Sequence, residues 1–499
     1  MTNISELLFH QAEVTPHKAA FFQKGRMLEY GQLAVNVRKR AAFYRSKGLR
    51  NGDRVLVFVP MSIDLYEILL ALFHIGCIAV FLDAWADRKR MDSALRTADC
   101  RGVIGIPKSF LLLLRSRELR RVSVKFFAVS SGMREDVQAA GTEETALVTF
   151  TTGSTGIPKA AKRTHAFLLE QHRVLSKEMT LPPESIDLAT LPIFALNNLA
   201  CGITTIIPSF DMRHPGNVDG GRILSEIEKY KATTVTASPA FLECLIGKMT
   251  PGRVPSLKKI FTGGAAIDPP FARRLQSAFP GCDITAVYGS TEAEPIATLP
   301  LSILAECKDF HRGLPAGKPV GEISPAILPL GADIRNTYSV RDWEELRIKD
   351  GGIGEICVAG PHVLREYYCS PQAERENKIH VADAVYHRTG DAGRVDDTGM
   401  LYLCGRVSTI FRDDSGALIC PMILESLLKS IPGIRAGTVL RFDAGVTACL
   451  ETDLTEEEAA RLLKVRSIPF DRIVRFRRIP RDPRHNSKLD YGMIRRMIS

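Results

Sequence analysis

The sequence lacks the cysteine patterns that structural metal sites and disulfide frameworks require. Its eleven cysteines are scattered along 499 residues, and they form no C-x-x-C pair and no paired Cys/His spacing. Zinc sites are built from such pairs, and disulfide-rich domains carry even numbers of closely spaced cysteines. A zinc ribbon and a disulfide scaffold are therefore excluded, and we expect the reduced thiols of an intracellular protein.

Long apolar runs are also missing. The most apolar segment, residues 65–84, contains Glu67 and His74 and is divided by Gly76 into a helical half and a β-like half. A membrane span needs about 20 uninterrupted apolar residues, so this pattern predicts a helix, a turn and a buried strand. Residues 1–18 lack a basic region followed by an apolar run, so we expect no signal peptide and a cytoplasmic location.

Size and charge set the broad class. The chain is 45% hydrophobic and 24% charged, which predicts a globular protein of about three structural units. Its net charge is +10, with basic density at residues 115–121 and 471–485. This charge suits anionic small molecules, an anionic membrane or nucleic acid. The first basic stretch follows five apolar residues at 110–114, which fits a peripheral membrane contact and a solvated helix face equally.

The order of the patterns predicts an α/β fold. A helical pattern at residues 32–47 precedes a β-branched run at 54–59, and the alternation recurs as far as about residue 290. The later helix-like segments are 222–230, 256–260 and 269–281, and the strands that follow them are 232–238, 261–266 and 282–290. Such alternation predicts parallel strands covered by helices, with ligands at the junctions of strands and loops.

Two changes of pattern divide the chain. From about residue 320 short strands and turns predominate, and after Arg406 a third pattern follows, in which Thr455 and Glu458 form a capping box. We therefore expect a large N-terminal domain at residues 1–405, made of two α/β layered subdomains and a small β-rich part at about 320–405. A hinge at 406–410 and a small α+β domain at 411–499 complete the predicted organisation.

One glycine-rich stretch is suited to an anion. Residues 151–159, "TTGSTGIPK", combine two glycines, four hydroxyl residues and a lysine. Glycines permit close approach of the backbone, and hydroxyl and N–H groups suit phosphate oxygens. A Walker A loop is excluded because the second glycine follows Gly153 by three positions and Lys159 follows a proline. A phosphate loop and a polar surface turn both fit this composition.

Two stretches after predicted strands are suited to a flat ligand and a metal. Residues 262–267, "TGGAAI", place paired glycines where backbone can approach a ligand closely. Residues 287–295, "VYGSTEAEP", combine the aromatic face of Tyr288 with hydroxyls and with Glu292, a carboxylate suited to Mg²⁺. A turn at a strand end with a solvated glutamate is the simpler alternative for the second stretch.

Three charged residues further along have the chemistry of nucleotide contacts. Asp391 lies between Gly390 and Gly393, where a carboxylate can accept ribose hydroxyls or form an Asx turn. Arg406, fifteen residues later, is placed to reach the same sugar or a phosphate. Lys488 lies on a polar loop at the end of the basic stretch, where a lone lysine is ordinarily solvated.

In their order along the chain, these stretches resemble the motifs of the adenylate-forming superfamily: acyl- and aryl-CoA synthetases, peptide-synthetase adenylation domains and luciferases. The similar segments are the phosphate loop at 150–159, the adenine-flanking turn at 262–266, the adenine and Mg²⁺ motif at 288–292, the ribose acid at 389–391 and the hinge arginine at 405–406. The resemblance covers nearly the whole chain. It implies an ATP- and Mg²⁺-dependent ligase whose C-terminal domain is a mobile lid.

The resemblance also implies a role for each matching residue. The residues expected to hold the β- and γ-phosphates are Thr151, Thr152, Ser154, Thr155 and Lys159. The adenine is expected to stack on Tyr288, next to Gly289 and beside Gly264 and Ala265. The remaining assignments are Thr291 to the α-phosphate, Glu292 to Mg²⁺, Asp391 to the ribose, Arg406 to the same sugar or a phosphate, and Lys488 to both the substrate carboxylate and the α-phosphate.

The substrate side departs from most relatives. Residues 191–202 match the acyl-side motif through Phe194 and Asn197, but Ala195 stands where CoA ligases often have histidine. Ser408 and Ala286 also replace the residues usual beside the hinge arginine and the adenine tyrosine. With the segments around Arg406 and Lys488, this pattern most resembles the β-lactone synthetases of bacterial olefin biosynthesis. Those enzymes adenylate a β-hydroxy acid, whose own hydroxyl then displaces AMP.

Other functions stay open at this stage. The acyl group, from a long-chain fatty or β-hydroxy fatty acid, could instead pass to the thiol of CoA or of a carrier protein. A basic protein that binds nucleic acid or membrane through residues 472–484 is the non-enzymatic alternative, and a P-loop kinase is disfavoured by Pro158. We expect ATP, Mg²⁺ and an apolar acid as ligands, pathway enzymes as further partners and no nucleic acid.

Overall fold

A computed structural model of the chain describes residues 3–82, 88–107, 110, 116–128, 141, 143–152, 158–211, 214–308, 312–443, 445–481 and 489–498. The helices are α1 (Ser5–Val14), α2 (Tyr30–Ser46), α3 (Ile63–His74), α4 (Arg88–Ala98), α5 (Arg117–Arg121), α6 (His165–Glu178), α7 (Pro192–Ala200), α8 (Gly220–Tyr230), α9 (Pro239–Ile246), α10 (Pro269–Ala278), α11 (Leu301–Glu306), α12 (Val340–Leu346), α13 (Pro371–Asn377), α14 (Pro421–Lys429), α15 (Glu456–Val465) and α16 (Tyr491–Ile498).

The strands are β1 (Ala19–Gln23), β2 (Arg26–Glu29), β3 (Arg54–Phe58), β4 (Ile78–Phe81), β5 (Gly102–Gly105), β6 (Val124–Phe127), β7 (Thr145–Thr152), β8 (Pro158–Thr164), β9 (Ile186–Ala189), β10 (Thr204–Ile206), β11 (Thr234–Ala237), β12 (Lys259–Gly263), β13 (Asp283–Ser290), β14 (Ala293–Pro300), β15 (Leu314–Pro319), β16 (Ser324–Leu328), β17 (Thr337–Tyr338), β18 (Gly354–Ala359), β19 (Lys378–Val381), β20 (Ala384–Val395), β21 (Leu401–Arg406), β22 (Phe411–Arg412), β23 (Leu418–Ile419), β24 (Ile434–Phe442), β25 (Gly445–Thr452) and β26 (Arg472–Phe476).

The first α/β layer is a sheet with the strand order β6-β5-β3-β4-β7-β8. Its first five strands are parallel, and β8 is antiparallel to β7. The predicted helix, turn and strand at residues 65–84 are confirmed as α3 and β4, joined through Gly76 at φ +74°. Across the described residues, no helix is both long and apolar enough to cross a bilayer.

A second sheet joins the other α/β layer to the β-rich part. Among the described residues it contains fifteen strands, and β9, β11, β12 and β13 are parallel neighbours in it, as the alternating pattern predicted. One expected helix is wrong. Residues 256–260 form a turn and the start of β12, while the helix that precedes this strand is α9. Five residues directly after Pro255 are too few to nucleate a helix.

The β-rich part, expected at about residues 320–405, is continuous with the parallel layer. Its first strand, β15, pairs with β14 on one side and with β21 on the other. The hydrogen-bonded path β20-β21-β15-β14-β13-β12 therefore runs without a break from the β-rich strands into the parallel layer. Residues on β13, β20 and β21 consequently keep fixed positions relative to one another.

The C-terminal region packs its own small core. Strands β24, β25 and β26 form a three-stranded sheet covered by apolar residues of α14 and α15. The predicted capping box is confirmed, with Thr455 and Glu458 bonded reciprocally at the start of α15. A 2.7 Å ion pair between Lys429 and Asp268 and a small apolar cluster connect this region to the rest of the chain.

The buried His165 gives the fold a pH-dependent stability. Burial lowers the pKa of this residue, the first of α6, from 6.5 to about 4. The unfolded chain therefore binds more protons between about pH 6.5 and 4, so the free energy of unfolding should fall as the pH drops through this window. From pH 7 to 5 we expect a loss of about 2 kcal/mol from this group.

Urea unfolding at pH 7 and pH 5 measures this effect. The loss should shrink in His165→Gln and persist in His10→Gln, which alters an exposed histidine of α1. An unchanged pH dependence in His165→Gln would contradict the assignment.

Candidate active site

The turn after β12 leaves room for a ligand to approach the backbone closely. Gly264 has φ +79°, and a Cβ built on it would meet no atom within 4 Å. Gly263 is packed tightly, because a Cβ there would lie 2.4 Å from the carbonyl oxygen of Val287 on β13. With the half-buried Ala265, these glycines leave an open backbone ledge at the carboxyl ends of two parallel strands. Ligands bind at such ends in open α/β sheets.

Tyr288, Asp391 and Arg406 lie together beside this ledge. The Tyr288 hydroxyl donates a hydrogen bond of 2.9 Å to Asp391 Oδ2, and Arg406 Nη1 donates one of 2.8 Å to Asp391 Oδ1. Asp391 and Arg406 are direct cross-strand partners on β20 and β21. Burial and the neighbouring carboxylate raise the pKa of Tyr288 well above its ordinary value, so its hydroxyl remains a donor. The structure thus brings together three residues that are distant in sequence.

Glu292 is a buried carboxylate at the start of the next strand. It is 9% exposed, and the Tyr367 hydroxyl donates to its Oε1 at 3.1 Å. Burial alone would raise the pKa of Glu292, yet its positive surroundings hold that pKa below the ordinary value. Because burial lowers the pKa of His387 to about 3, this ring is neutral near pH 7, and Lys378 and Arg163 supply the positive charge.

This carboxylate fits a hard cation such as Mg²⁺. Its held negative charge suits a metal that takes oxygen ligands. In the part of the chain that the structure describes, no three His, Cys, Asp or Glu side chains are grouped to bind a metal. Mg²⁺ usually binds one or two carboxylates and completes its shell with substrate phosphates and water. A site with Glu292 as its one protein carboxylate therefore fits this ion.

Two buried cations near Glu292 were not predicted from the sequence. Lys378 is fully buried, and its ammonium group donates to the carbonyl oxygen of Leu364. Burial lowers the pKa of Lys378 to about 8, while Glu292 opposes that shift. Nothing in the segment around Lys378 marks it as buried, since a lysine at the start of a strand is ordinarily exposed.

Arg163 is the second of these cations and connects two parts of the site. Its Nη2 donates to the Thr291 carbonyl oxygen at 2.6 Å, and its Nη1 donates to Thr149 Oγ1 at 2.7 Å. One guanidinium group therefore joins strand β7, which leads into the glycine-rich loop, to the turn that carries Thr291 and Glu292. Its fork of donors suits such a two-ended contact.

The two ends of the glycine-rich stretch lie on the paired strands β7 and β8. Thr151 pairs with Lys159 and Thr152 with Pro158, so both flanks of residues 153–157, which are outside the described residues, are fixed in a sheet. Lys159 Nζ donates to Asn377 Oδ1 at 2.7 Å. Burial lowers the pKa of Lys159, and the charge of Glu292 opposes that shift, which places the lysine on the same side of the site. Predicted residues outside the described ones are Ser154, Thr155 and Lys488.

The remaining residues of the adenine and Mg²⁺ motif, Gly289 and Thr291, lie at a tight turn. Gly289 could not be replaced without a shift, because a Cβ there would lie 2.9 Å from the Ala293 carbonyl oxygen. Thr291 is half-buried, with its carbonyl group held by Arg163. The turn is therefore fixed from both sides of Glu292.

The predicted acyl-side residues lie on α7 and point in different directions. Phe194 is 4% exposed and packs with Phe261 of β12 and Val287 of β13, directly behind the ledge. Ala195 is fully buried in the separate core cluster of the first layer. Asn197 Oδ1 lies 2.8 Å from His172 Nδ1 on α6. Of the three, Phe194 is the one in contact with the strands that carry the ledge and Tyr288.

Comparison with known proteins extends this picture over most of the chain. Residues 8–368 match the AMP-binding enzyme family. The olefin beta-lactone synthetase of Stenotrophomonas maltophilia (strain K279a) is 28% identical over 433 residues, covering 82% of this chain and 77% of the relative. That of Xanthomonas campestris pv. campestris is 26% identical, covering 93% and 89%. A feruloyl-CoA synthase of Amycolatopsis is also 26% identical, covering 86% and 84%.

Solved structures share the fold at lower identity. ATP-bound MatB from Rhodopseudomonas palustris matches with a TM-score of 0.84 and 19% identity, covering 100% of this chain and 99% of that one. O-succinylbenzoate Coenzyme A synthetase (MenE) from Bacillus subtilis, in complex with ATP and magnesium ion, matches with a TM-score of 0.80 and 20% identity, covering 98% of both chains. With its family match over residues 8–368, the chain belongs to the AMP-binding enzyme family and is an adenylate-forming enzyme.

Proposed function

We propose that this enzyme activates a long-chain fatty or β-hydroxy fatty acid with ATP and then closes the acyl group into a β-lactone. The acid and ATP would first give acyl-AMP and pyrophosphate. The β-hydroxyl oxygen of the same acyl group would then attack the acyl carbon, the bond to AMP would break, and the hydroxyl proton would leave to solvent. The proposed working parts are the body at residues 1–405, the hinge at 406–410 and the lid at 411–499.

One structural observation is the main support for the proposed adenylation step. Four chemically different groups come together between the two sheets: the open glycine ledge, the Tyr288–Asp391–Arg406 network and the buried carboxylate Glu292 on the large sheet, and the β7–β8 hairpin of the first sheet, which Arg163 joins to the turn at Thr291. Adenine, ribose, Mg²⁺ and polyphosphate are the ligands that these groups suit in turn. A polar surface turn or a basic docking surface would not require this convergence.

The residues present explain how the reaction would be favoured. A carboxylate and ATP repel each other, so attack on the α-phosphorus needs positive charge fixed in a water-poor site. Lys159 and Arg163 supply such charge on the phosphate side, and we propose that Lys488 supplies it between the acid and the α-phosphate. Mg²⁺ held at Glu292 would neutralise phosphate charge.

The cyclising outcome draws support from two kinds of observation. Two relatives across most of the chain are olefin beta-lactone synthetases, and alanine stands at position 195, where CoA ligases often have histidine. The apolar contacts of Phe194 behind the ledge favour an apolar acid. Transfer to a thiol, such as that of CoA or of a carrier protein, is the second candidate, because a feruloyl-CoA synthase is about as similar.

Pyrophosphate release with matched acids tests the proposal. We expect ATP- and Mg²⁺-dependent release with a long-chain acid and with its β-hydroxy analogue, and little with acetate. The β-hydroxy acid should yield a product lighter than the acid by one water, with no requirement for CoA. Consumption of CoA with formation of a thioester would favour the second candidate, and absence of acid-dependent pyrophosphate would contradict adenylation itself.

Removal of the ribose carboxylate should weaken ATP binding. In Asp391→Ala the KM for ATP should rise about tenfold or more, because charged hydrogen bonds contribute about 1.5–3 kcal/mol each. The variant should also lose any preference for ATP over 2′-deoxy-ATP. Asp397→Asn, at an exposed position of the same hairpin, is the matched control. An unchanged KM in Asp391→Ala would contradict the ribose assignment.

A further inference from the structure

Two buried cysteines lie on either side of the predicted hinge. Cys404 is fully buried on β21, two residues before Arg406, and Cys420 is 6% exposed immediately before α14. Both belong to one apolar cluster with Ala392 and Ile423. This cluster therefore contains side chains from both sides of the hinge, and the two thiols are among them.

The two side chains are neighbours in this cluster. The neighbouring Cys420 and burial raise the pKa of Cys404, whereas Cys404 holds the pKa of Cys420 below its ordinary value. Cys420 is therefore the more readily ionised thiol and the better nucleophile of the pair. The Cys404 sulfur also packs closely against Gly313, the residue before β15, because a Cβ built on this glycine would lie 3.1 Å from it. Neither thiol has a role in the proposed chemistry.

We propose that Cys404 and Cys420 form an oxidation site, at which a peroxide converts the two thiols into a disulfide that fastens the lid to the body in the orientation seen here. The bond would close a loop that contains the whole hinge. Its effect on turnover rests on the proposed function, in which the lid must change orientation between adenylation and product release.

The chemistry balances with a peroxide as the oxidant. The Cys420 thiolate attacks one peroxide oxygen, breaks the O–O bond and becomes a sulfenic acid as hydroxide leaves. The Cys404 sulfur then attacks the Cys420 sulfur, and the S–OH bond breaks with loss of water. In total, two thiols and one hydrogen peroxide give one disulfide and two waters, and an added dithiol reverses the bond by exchange.

The packing around the hinge makes this bond specific to one orientation. Gly405 has φ +131°, and a Cβ built on it would lie 3.3 Å from Met422 Cβ on α14. The end of β21 and the start of α14 are thus in close contact, which is what brings the thiols together. Rotation of the lid about residues 406–410 would carry Cys420 away from Cys404, and a disulfide requires Cα atoms within about 7 Å.

Peroxide treatment of the full-length enzyme tests the proposal. The background is Cys369→Ser, which removes an exposed thiol. After alkylation, digestion without reductant should yield a peptide that links Cys404 to Cys420 and has lost two hydrogens. Acid-dependent pyrophosphate release should fall about tenfold or more as the lid is held, and dithiothreitol should restore it. Cys404→Ala and Cys420→Ala should each keep their turnover after the same treatment.

A second measurement does not depend on activity. Limited proteolysis within residues 405–419 should slow about tenfold in the oxidised enzyme and recover with dithiothreitol, because local opening exposes this segment to the protease. If the reduced enzyme released no pyrophosphate, the proposed function would fail, and peptide mapping with proteolysis would still decide this inference. Absence of the linked peptide, or a linked peptide with unchanged proteolysis, would overturn it.

Discussion

Lys488→Ala should slow acyl-adenylate formation by about 100-fold or more. The reason is electrostatic: a fixed cation between an attacking carboxylate and the α-phosphate stabilises charge in the transition state, and loss of one such group costs about 3 kcal/mol. The measurement is acid-dependent exchange of labelled pyrophosphate into ATP, which reports the first step alone. The KM for ATP should change much less, because the residues proposed to contact adenine and ribose lie elsewhere, on β13, β20 and β21.

Lys464→Ala is the matched control for this variant. Lys464 is an exposed residue of α15 in the same C-terminal domain, and its loss removes the same charge from the surface. Pyrophosphate exchange by this control should equal that of the parent. If Lys488→Ala also exchanged pyrophosphate at the parent rate, the role assigned to Lys488 would be wrong.

Glu292→Gln should reduce kcat/KM by about 100-fold or more, and it should also destabilise the fold. The amide keeps an acceptor for the Tyr367 hydroxyl but removes the charge that suits Mg²⁺. It also removes the main negative charge near the buried cations Lys378 and Arg163, and leaves Glu374 and Glu294 as their nearby carboxylates. Breaking a buried pair in direct contact costs about 3–5 kcal/mol, and we expect a smaller loss for these more distant charges. A Mg²⁺ titration of activity and urea unfolding measure the two effects separately.

A double variant separates catalysis from stability. Glu292→Gln combined with Lys378→Met removes one unpaired buried cation and fills its space with an apolar chain of similar length. Stability should recover in part, whereas activity should not. Glu345→Gln, at an exposed position of α12, is the control for loss of a surface carboxylate. Activity that recovered with stability would show that Glu292 supports the fold and does not serve Mg²⁺.

The parts of the site that follow from local sequence were predictable. Glycines after a strand, a carboxylate beside glycines and a stretch rich in glycine and hydroxyl residues each mark a position where backbone or side chain can meet a ligand, and the superfamily resemblance indicated a common ligand for them. The α/β alternation was equally readable, because helical and β periods differ over ten or more residues. Even so, residues 256–260 were misread, since five residues carry too little periodicity to distinguish a helix from a turn.

The cations behind Glu292 could not be predicted in this way. Lys378 and Arg163 lie in segments whose local composition fits an ordinary exposed strand. They are 86 and 129 residues from Glu292 in the sequence, and no pattern or motif pairs either of them with it. Their burial is a tertiary property, because Arg163 on β8 is held against the turn at Thr291 and Lys378 at the start of β19 is held at the carbonyl group of Leu364. The contact between Cys404 and Cys420 belongs to the same class, because it depends on how α14 folds back against β21.

The unbroken sheet from β12 to β20 has a consequence for the timing of catalysis. Tyr288, Asp391 and the base of the ledge are held in register by backbone hydrogen bonds across neighbouring strands. A rotation at the proposed hinge, residues 406–410, would leave that ladder untouched. We therefore expect the AMP part of an acyl adenylate to stay bound after pyrophosphate has left, while the proposed lid at residues 411–499 changes its orientation.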